Sequence, residues 1–319
     1  RLRPRSLRLM AAAPREPPAA LLGAYTLQHQ VPLERFYVDD ASSMAGSTTR
    51  FSSDELAGCV RAAERELQLV ARVEAAEASA GAEAAAAGVR RRAAQHRGGV
   101  QRHLVASALA TSGAAAAAGL DVLVFGATEP WLECLCLAAG ANSVTTVEYQ
   151  ALEYEHAQLH TIGVADFEAA VARGGRLQGR FDLALALSAF DHDGLGRYGD
   201  PLRPDADLQA MRGAWRALRP HRGTLLLSAP VGPDLVVWNL HRRYGPLRLP
   251  MLLRGWAEAA RLGWEEERLA APADHRRRYE PLFVLRRNST ADLPQHAHHQ
   301  GPPHAHGAPT VEVDLKEEV

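Results

Sequence analysis

Asp121–Tyr149, DVLVFGATEPWLECLCLAAGANSVTTVEY, is the stretch that decides the fold. Val122–Phe125 is a short unbroken apolar run that stops at Gly126. A run with no polar alternation suits a strand buried on both faces, as in a parallel sheet. Pro130 then opens a segment, PWLECLCLAAGA, that reads as a helix closed by Gly140. SVTTVEY follows as a β-branched strand.

The same alternation continues downstream. FDLALALSAF is another fully apolar strand, GTLLLSAPVG the next and PLFVLRR the last. DADLQAMRGAWRALRP is an amphipathic helix stopped by Pro220, and LPMLLRGWAEAARLG reads as a further helix; ALEYEHAQLH fits either state. Apolar strands alternating with helices imply a doubly wound, mostly parallel, Rossmann-like α/β sheet over residues 116–288. Upstream, residues 51–115 read as an Ala-rich helical extension. Ser52 and Glu55 fit a capping box there, and Leu56, Val60, Ala63, Leu67, Val70 and Val73 make one apolar face. Residues 1–50 show no sustained period and are expected to be an irregular or targeting segment. The polar tail, 289–319, is expected to be disordered.

Composition narrows the function classes. The 319 residues are 47% hydrophobic, much of it Ala, and carry a net charge of −1. No global field argues for a nucleic-acid partner. No run has the roughly 18 strongly apolar residues of a membrane span, so a soluble chain is expected. The three cysteines, Cys59, Cys134 and Cys136, form neither a disulfide framework nor a zinc pattern, and read as buried free thiols of a reducing, intracellular compartment. Arg1, Arg3, Arg5 and Arg8 come before the first acid, Glu16, as in an organelle transit peptide; a stray basic tail is the plain alternative, and the compartment stays open. Arg90–Arg92 and Arg97 read as a solvated helix face or linker. The tail histidines, His296, His298, His299, His304 and His306, lack a fixed geometry, so no metal site is expected.

In an open parallel sheet, ligands sit beyond the carboxyl ends of the strands. Gly126 lets the backbone approach a ligand, and the helix start beside Ala127 and Glu129 offers free amides. G-x-G-x-x-G is incomplete, with Thr128 and Trp131 at the later glycine positions, which disfavours NAD or FAD. Glu148 lies about 20 residues past the glycine turn, where a carboxylate accepts both hydroxyls of a ribose. LSAFDHDGLGRYGDP, Leu187–Pro201, is richer in functional side chains than a turn requires. Asp191, His192 and Asp193 are the candidate catalytic group. Arg197, Tyr198 and Asp200 would hold an acceptor, joined by Asn239, His241 and Tyr244 from a polar-aromatic loop or short helix.

FDLALALSAFDH followed by MRGAWRALRPHRGTLLLSAPVG resembles the fourth and fifth strands of class I S-adenosylmethionine-dependent methyltransferases, with His192 and Pro220 matching the pattern. PWLECLCLAAGANSVTTVEY, DHDGLGRYGDPL and VVWNLHRRYGPLRLP resemble domain-of-unknown-function family 268, a methyltransferase-like group first catalogued from nematode proteins, over about residues 120–255. The resemblance implies S-adenosylmethionine as cofactor, Glu148 on its ribose and Asp166 near its adenine amine. The resemblance brings no acceptor with it; the polar, Tyr- and Arg-rich loops suit a small molecule, a sugar or other hydroxylated compound, for which His192 is the candidate base. The departures are Val124 in place of the usual acid, and Thr128 and Pro130 in place of later glycines. Two rival readings stand beside it. One is a nucleotide-sugar enzyme, suited by the Tyr- and Arg-rich loops. The other is a non-catalytic methyltransferase-like interaction module, suited by the degenerate glycine turn.

Overall fold

A computed structural model describes residues 13–38, 48–80, 104–109, 117–127, 129–271 and 278–288. The basic leader, the Arg90–Arg97 run, Thr128 and the His-rich tail lie outside them.

The core strands are β3 (Asp121–Phe125), β4 (Ser143–Glu148), β6 (Leu159–Gly163), β7 (Leu183–Leu187), β8 (Thr224–Ser228), β11 (Trp256–Leu262) and β12 (Leu282–Arg287). They form one seven-stranded sheet in the order β11-β12-β8-β7-β3-β4-β6. β12 runs antiparallel to both neighbours, and the other pairs are parallel. The doubly wound, mostly parallel α/β fold expected from sequence is the fold observed. Every residue of β3, β7 and β8 is buried, and successive side chains serve opposite faces. Val122 and Val124 pack with α2 (Ser53–Ala80) and α3 (Trp131–Ala138). Leu123 and Phe125 pack with α4 (Val164–Val171) and α5 (Ala206–Ala217). Each buried leucine contributes roughly 1.5–3 kcal/mol, so the two layers hold the sheet from both sides.

The Ser52–Glu55 capping box is present: Ser52 N donates to Glu55 Oε2 at 2.8 Å, and Glu55 N donates to Ser52 Oγ at 3.4 Å. Cys59 on α2 and Cys134 on α3 form a disulfide, so the expectation of free thiols holds only for buried Cys136. Nothing in the spacing, 75 residues apart, announces that pairing.

Three local expectations are corrected. Residues 13–38, expected irregular, carry α1 (Ala19–Tyr25) and the short strand β1 (Leu33–Glu34). The loop or short helix around Trp238 is instead a hairpin of β9 (Leu235–Val237) and β10 (His241–Arg243), turned by Asn239 at φ 49°. β1 adds to it in parallel, making a small second sheet. Finally, the helix expected across 249–263 is only α6 (Arg248–Leu252), followed by β11. Gly255, at φ 85°, ends the helix, and pairing with β12 overrides the helical propensity of Ala and Arg. A further strand, β2 (Thr48–Phe51), pairs in parallel with β5 (Ala151–Tyr154).

Candidate active site

β3 and β7 are adjacent, and the helices that follow them leave to opposite faces. A crevice opens at their carboxyl ends. Gly126 leaves β3 with φ 68°, and a Cβ there would lie 2.8 Å from the Ala189 Cβ, in the turn leaving β7. The glycine is therefore required by the close approach of the two strand exits. Ser188, at φ 48°, shares that strained corner.

A cavity of ≈ 100 Å3 sits over this corner, lined by Gly126, Ala127, Glu148, His192, Asp193 and Tyr198 among others. Three strand exits thus deliver their expected residues to one rim. Glu148 and Tyr149 also line a broad groove of ≈ 1000 Å3 between β4, β5, β6 and α4, which contains Asp166. Glu148 stands at the junction. Its carboxylate accepts the Tyr149 amide at 2.7 Å and is also bonded by the amides of Gln150 and Ala127. Burial raises its pKa despite these bonds. Glu129 is exposed at the start of α3.

The turn after β7 carries the ionisable group. Asp191 is fully buried, and neither carboxylate oxygen has a hydrogen-bond partner. Burial pushes its pKa up to about 7, against the pull of Arg278. His192 Nδ1 donates to the Leu240 carbonyl, which leaves Nε2 as the acceptor, 3.5 Å from Asp191 Oδ2. Burial lowers the His192 pKa to about 4, so the imidazole is neutral at physiological pH. Asp193 lines the cavity, and burial, reinforced by Asp200, raises its carboxyl well above the ordinary range.

The remaining expected residues have other partners. Asp200 accepts the amides of Gly196 at 2.9 Å and Tyr198 at 3.2 Å, shaping the loop rather than facing a ligand. Arg197 lies 4.9 Å over the Tyr198 ring, which meets His192 edge-on at 5.8 Å. His241 is buried with its ring 6.3 Å from that of His192. Asn239 is buried, and its side-chain oxygen accepts the Val38 amide at 2.8 Å. Tyr244 is fully buried and donates to Asp207 Oδ2 at 3.1 Å. Asn239 and Tyr244 therefore build the frame instead of an open pocket.

Two contributors were not foreseen. Thr49, on β2, lines the cavity from outside the α/β domain. Glu280, just before β12, accepts the Ser188 hydroxyl at 3.4 Å and lies 3.5 Å from Arg278. Burial and then Asp191 push its pKa up to about 7. Because β12 is antiparallel, the residue before it lies at the same rim as the residues after the parallel strands. Among the described residues no helix is long and apolar enough to cross a membrane, and no group of three or more His, Cys, Asp or Glu is placed to hold a metal ion.

Among solved structures, the chain is similar to an S-adenosylmethionine-dependent methyltransferase from Mesorhizobium loti, with 16% identity over 54% of this chain and 93% of that one, at a TM-score of 0.36. It is also similar to the cyclase SpnF, with 16% identity over 58% of this chain and 80% of that one, at a TM-score of 0.38. No curated protein matches it. The family described as "Caenorhabditis protein of unknown function, DUF268" matches residues 119–287, more than half of the chain and the whole span from β3 to β12, and the chain belongs to that family.

Proposed function

We propose that the protein is an S-adenosylmethionine-dependent methyltransferase acting on a small hydroxylated acceptor. The observation that carries the reading is the position of Glu148, beside Gly126 and at the junction of the strand-exit cavity and the broad groove. The donor set fits such a cofactor. A carboxylate offers about four lone-pair sites; with three backbone amides bound, Glu148 keeps capacity for a ribose hydroxyl. Ile162 and Asp166 in the groove would take the adenine, one by apolar contact and one by accepting its amine. Gly126 and Ala127 would border the methionyl end. When bound, the cofactor supplies an electrophilic methyl group.

The chain's own part is to orient the acceptor, exclude water and remove a proton. Asp193 is placed for the last task. It lines the cavity, and burial makes its carboxylate a stronger base than an exposed one. His192 has Nδ1 tied to Leu240 and Nε2 turned toward Asp191, and it lines the cavity with Asp193. Tyr198 and Thr49 wall the acceptor side.

The ≈ 1000 Å3 groove favours one second reading, because it has room for a nucleotide-sugar. Titration calorimetry separates the two. Saturable binding of S-adenosylhomocysteine, weakened at least about tenfold by Glu148→Ala as expected for a charge-assisted bond to the ligand, supports the methyltransferase. Binding of a nucleotide-sugar alone supports the second reading. Silence toward both leaves a non-catalytic scaffold.

A further inference from the structure

The family match begins at residue 119, yet the turn that carries Asp193 is gripped from far upstream. Tyr25, at the end of α1, is fully buried, and its hydroxyl donates to the Gly194 carbonyl at 2.6 Å. That carbonyl also accepts the Arg203 amide at 3.0 Å. The carbonyl one residue earlier, on Asp193 itself, accepts Arg242 Nη1 at 2.6 Å, and Arg242 stacks 5.9 Å from the Tyr25 ring. Only glycine fits at 194, which has φ 77° and where a Cβ would lie 2.1 Å from the Arg203 carbonyl oxygen. The tyrosine is in turn fixed from several sides. Its ring meets Trp238 edge-on at 5.3 Å, and Trp238 Nε1 donates to the Pro14 carbonyl at 2.9 Å. Tyr25, Val31, Leu195, Val236 and Trp238 form a third hydrophobic cluster apart from the two sheet faces.

We infer that Tyr25 is a positioning residue for Asp193, and that residues 13–38 are a strap that fixes the acceptor side of the cavity from outside the family domain. Two carbonyls in succession, those of Asp193 and Gly194, are held by two side chains from different elements. The peptide between them cannot rotate without breaking one of the bonds. The direction in which Asp193 meets the cavity is set by that peptide. The inference rests on the reading of Asp193 as the acceptor-side base; the grip itself is independent of which cofactor binds.

Native-state hydrogen exchange on the full chain tests it. In the wild type, the amides of 13–38 and 191–200 should open as one unit with matching rates. Tyr25→Phe keeps the ring and removes only the donor. It should speed exchange across 191–200 about five- to tenfold, the loss of one hydrogen bond, and leave β8 and α5 at wild-type rates. It should also shift the carboxyl titration of Asp193 followed by carbon NMR, which a purely global loss of stability would not do. Wild-type exchange at 13–38 far faster than at 191–200 overturns the inference, as does a Tyr25→Phe chain with unchanged loop exchange and Asp193 titration. Should Tyr25→Phe fail to fold, the wild-type comparison decides alone. S-adenosylhomocysteine binding, read in parallel, fails only if the cofactor assignment is wrong.

Discussion

Asp191 and His192 are neighbours whose pKa values cross. Asp191 is raised to about 7 and His192 lowered to about 4, both by burial first. The folded Asp191 resists ionisation, so its neutral form is favoured below the unfolded carboxyl value. That advantage is lost as pH rises from about 4 to about 7. For His192 the unfolded state binds its proton first, and stability falls as pH drops from about 6.5 to about 4. Asp191→Asn removes the first cost. It should stabilise the protein by ~4 kcal/mol near pH 7.5 and by little near pH 4, the energy of a shift of that size. Urea unfolding at the two pH values measures it; equal effects would show that burial does not raise the Asp191 pKa. Asp193→Asn should leave cofactor binding within about twofold, because it keeps the shape of a side chain on the acceptor side. It should slow methyl transfer by about 10²–10⁴ if Asp193 is the base, measured by single-turnover transfer once an acceptor is found. At this scale the sequence reads well wherever a residue sits at a strand exit. Gly126, Glu148, His192 and Asp193 are legible because a parallel sheet sends every such exit to one rim. Tyr244 and Asn239 mislead because polar side chains in a hairpin look the same whether they meet a ligand or a buried partner. Glu280 is hidden because its place depends on β12 running antiparallel, which a short apolar run does not reveal.

Among the elements, α5 and the β9–β10 hairpin are joined by one buried carboxylate. Asp207, in the first turn of α5, receives Arg248 Nη2 at 2.7 Å, Arg248 Nε at 2.9 Å and the Tyr244 hydroxyl at 3.1 Å, with Arg242 Nε 3.9 Å away. The two arginines also hold the carbonyl of Pro204, so the loop entering α5 hangs on them. These charges lower the Asp207 pKa in spite of burial. Stability from this group is therefore present above the unfolded carboxyl value and is lost as pH falls below it. Asp207→Ala leaves two buried guanidinium groups without their counter-charge and should cost about 3–5 kcal/mol. Thermal unfolding measures it, and a loss under ~1 kcal/mol would mean that water reaches the arginines. The elements that were misread share one physical cause. β11 is made of good helix formers, and only its antiparallel partner makes it a strand. β1 and β9 are too short to carry a period and exist because they find each other. The five inner strands β3, β4, β7, β8 and β12 were legible because their burial is written into consecutive apolar or β-branched residues.

For the molecule as a whole, the two helices of one layer are tied by the Cys59–Cys134 disulfide, which joins α2 to α3 on the same face of the sheet. In a denatured, unreduced sample one thiol per chain should react with alkylating reagent, that of Cys136. Reduction should lower stability by about 4 kcal/mol for a loop of this length. Three reactive thiols before reductant is added would refute the pairing.

The contact between β1 and β9 has a consequence for biosynthesis. Leu33 pairs with Val236, about 200 residues later. At ~5–20 residues per second, a ribosome leaves the strap waiting roughly 10–40 s for its counterpart. During that interval Tyr25 and Val31 are greasy groups on a nascent chain with nothing to cover them. A polypeptide cut short before the hairpin would keep them uncovered for good and would be a ready target for chaperones and proteolysis.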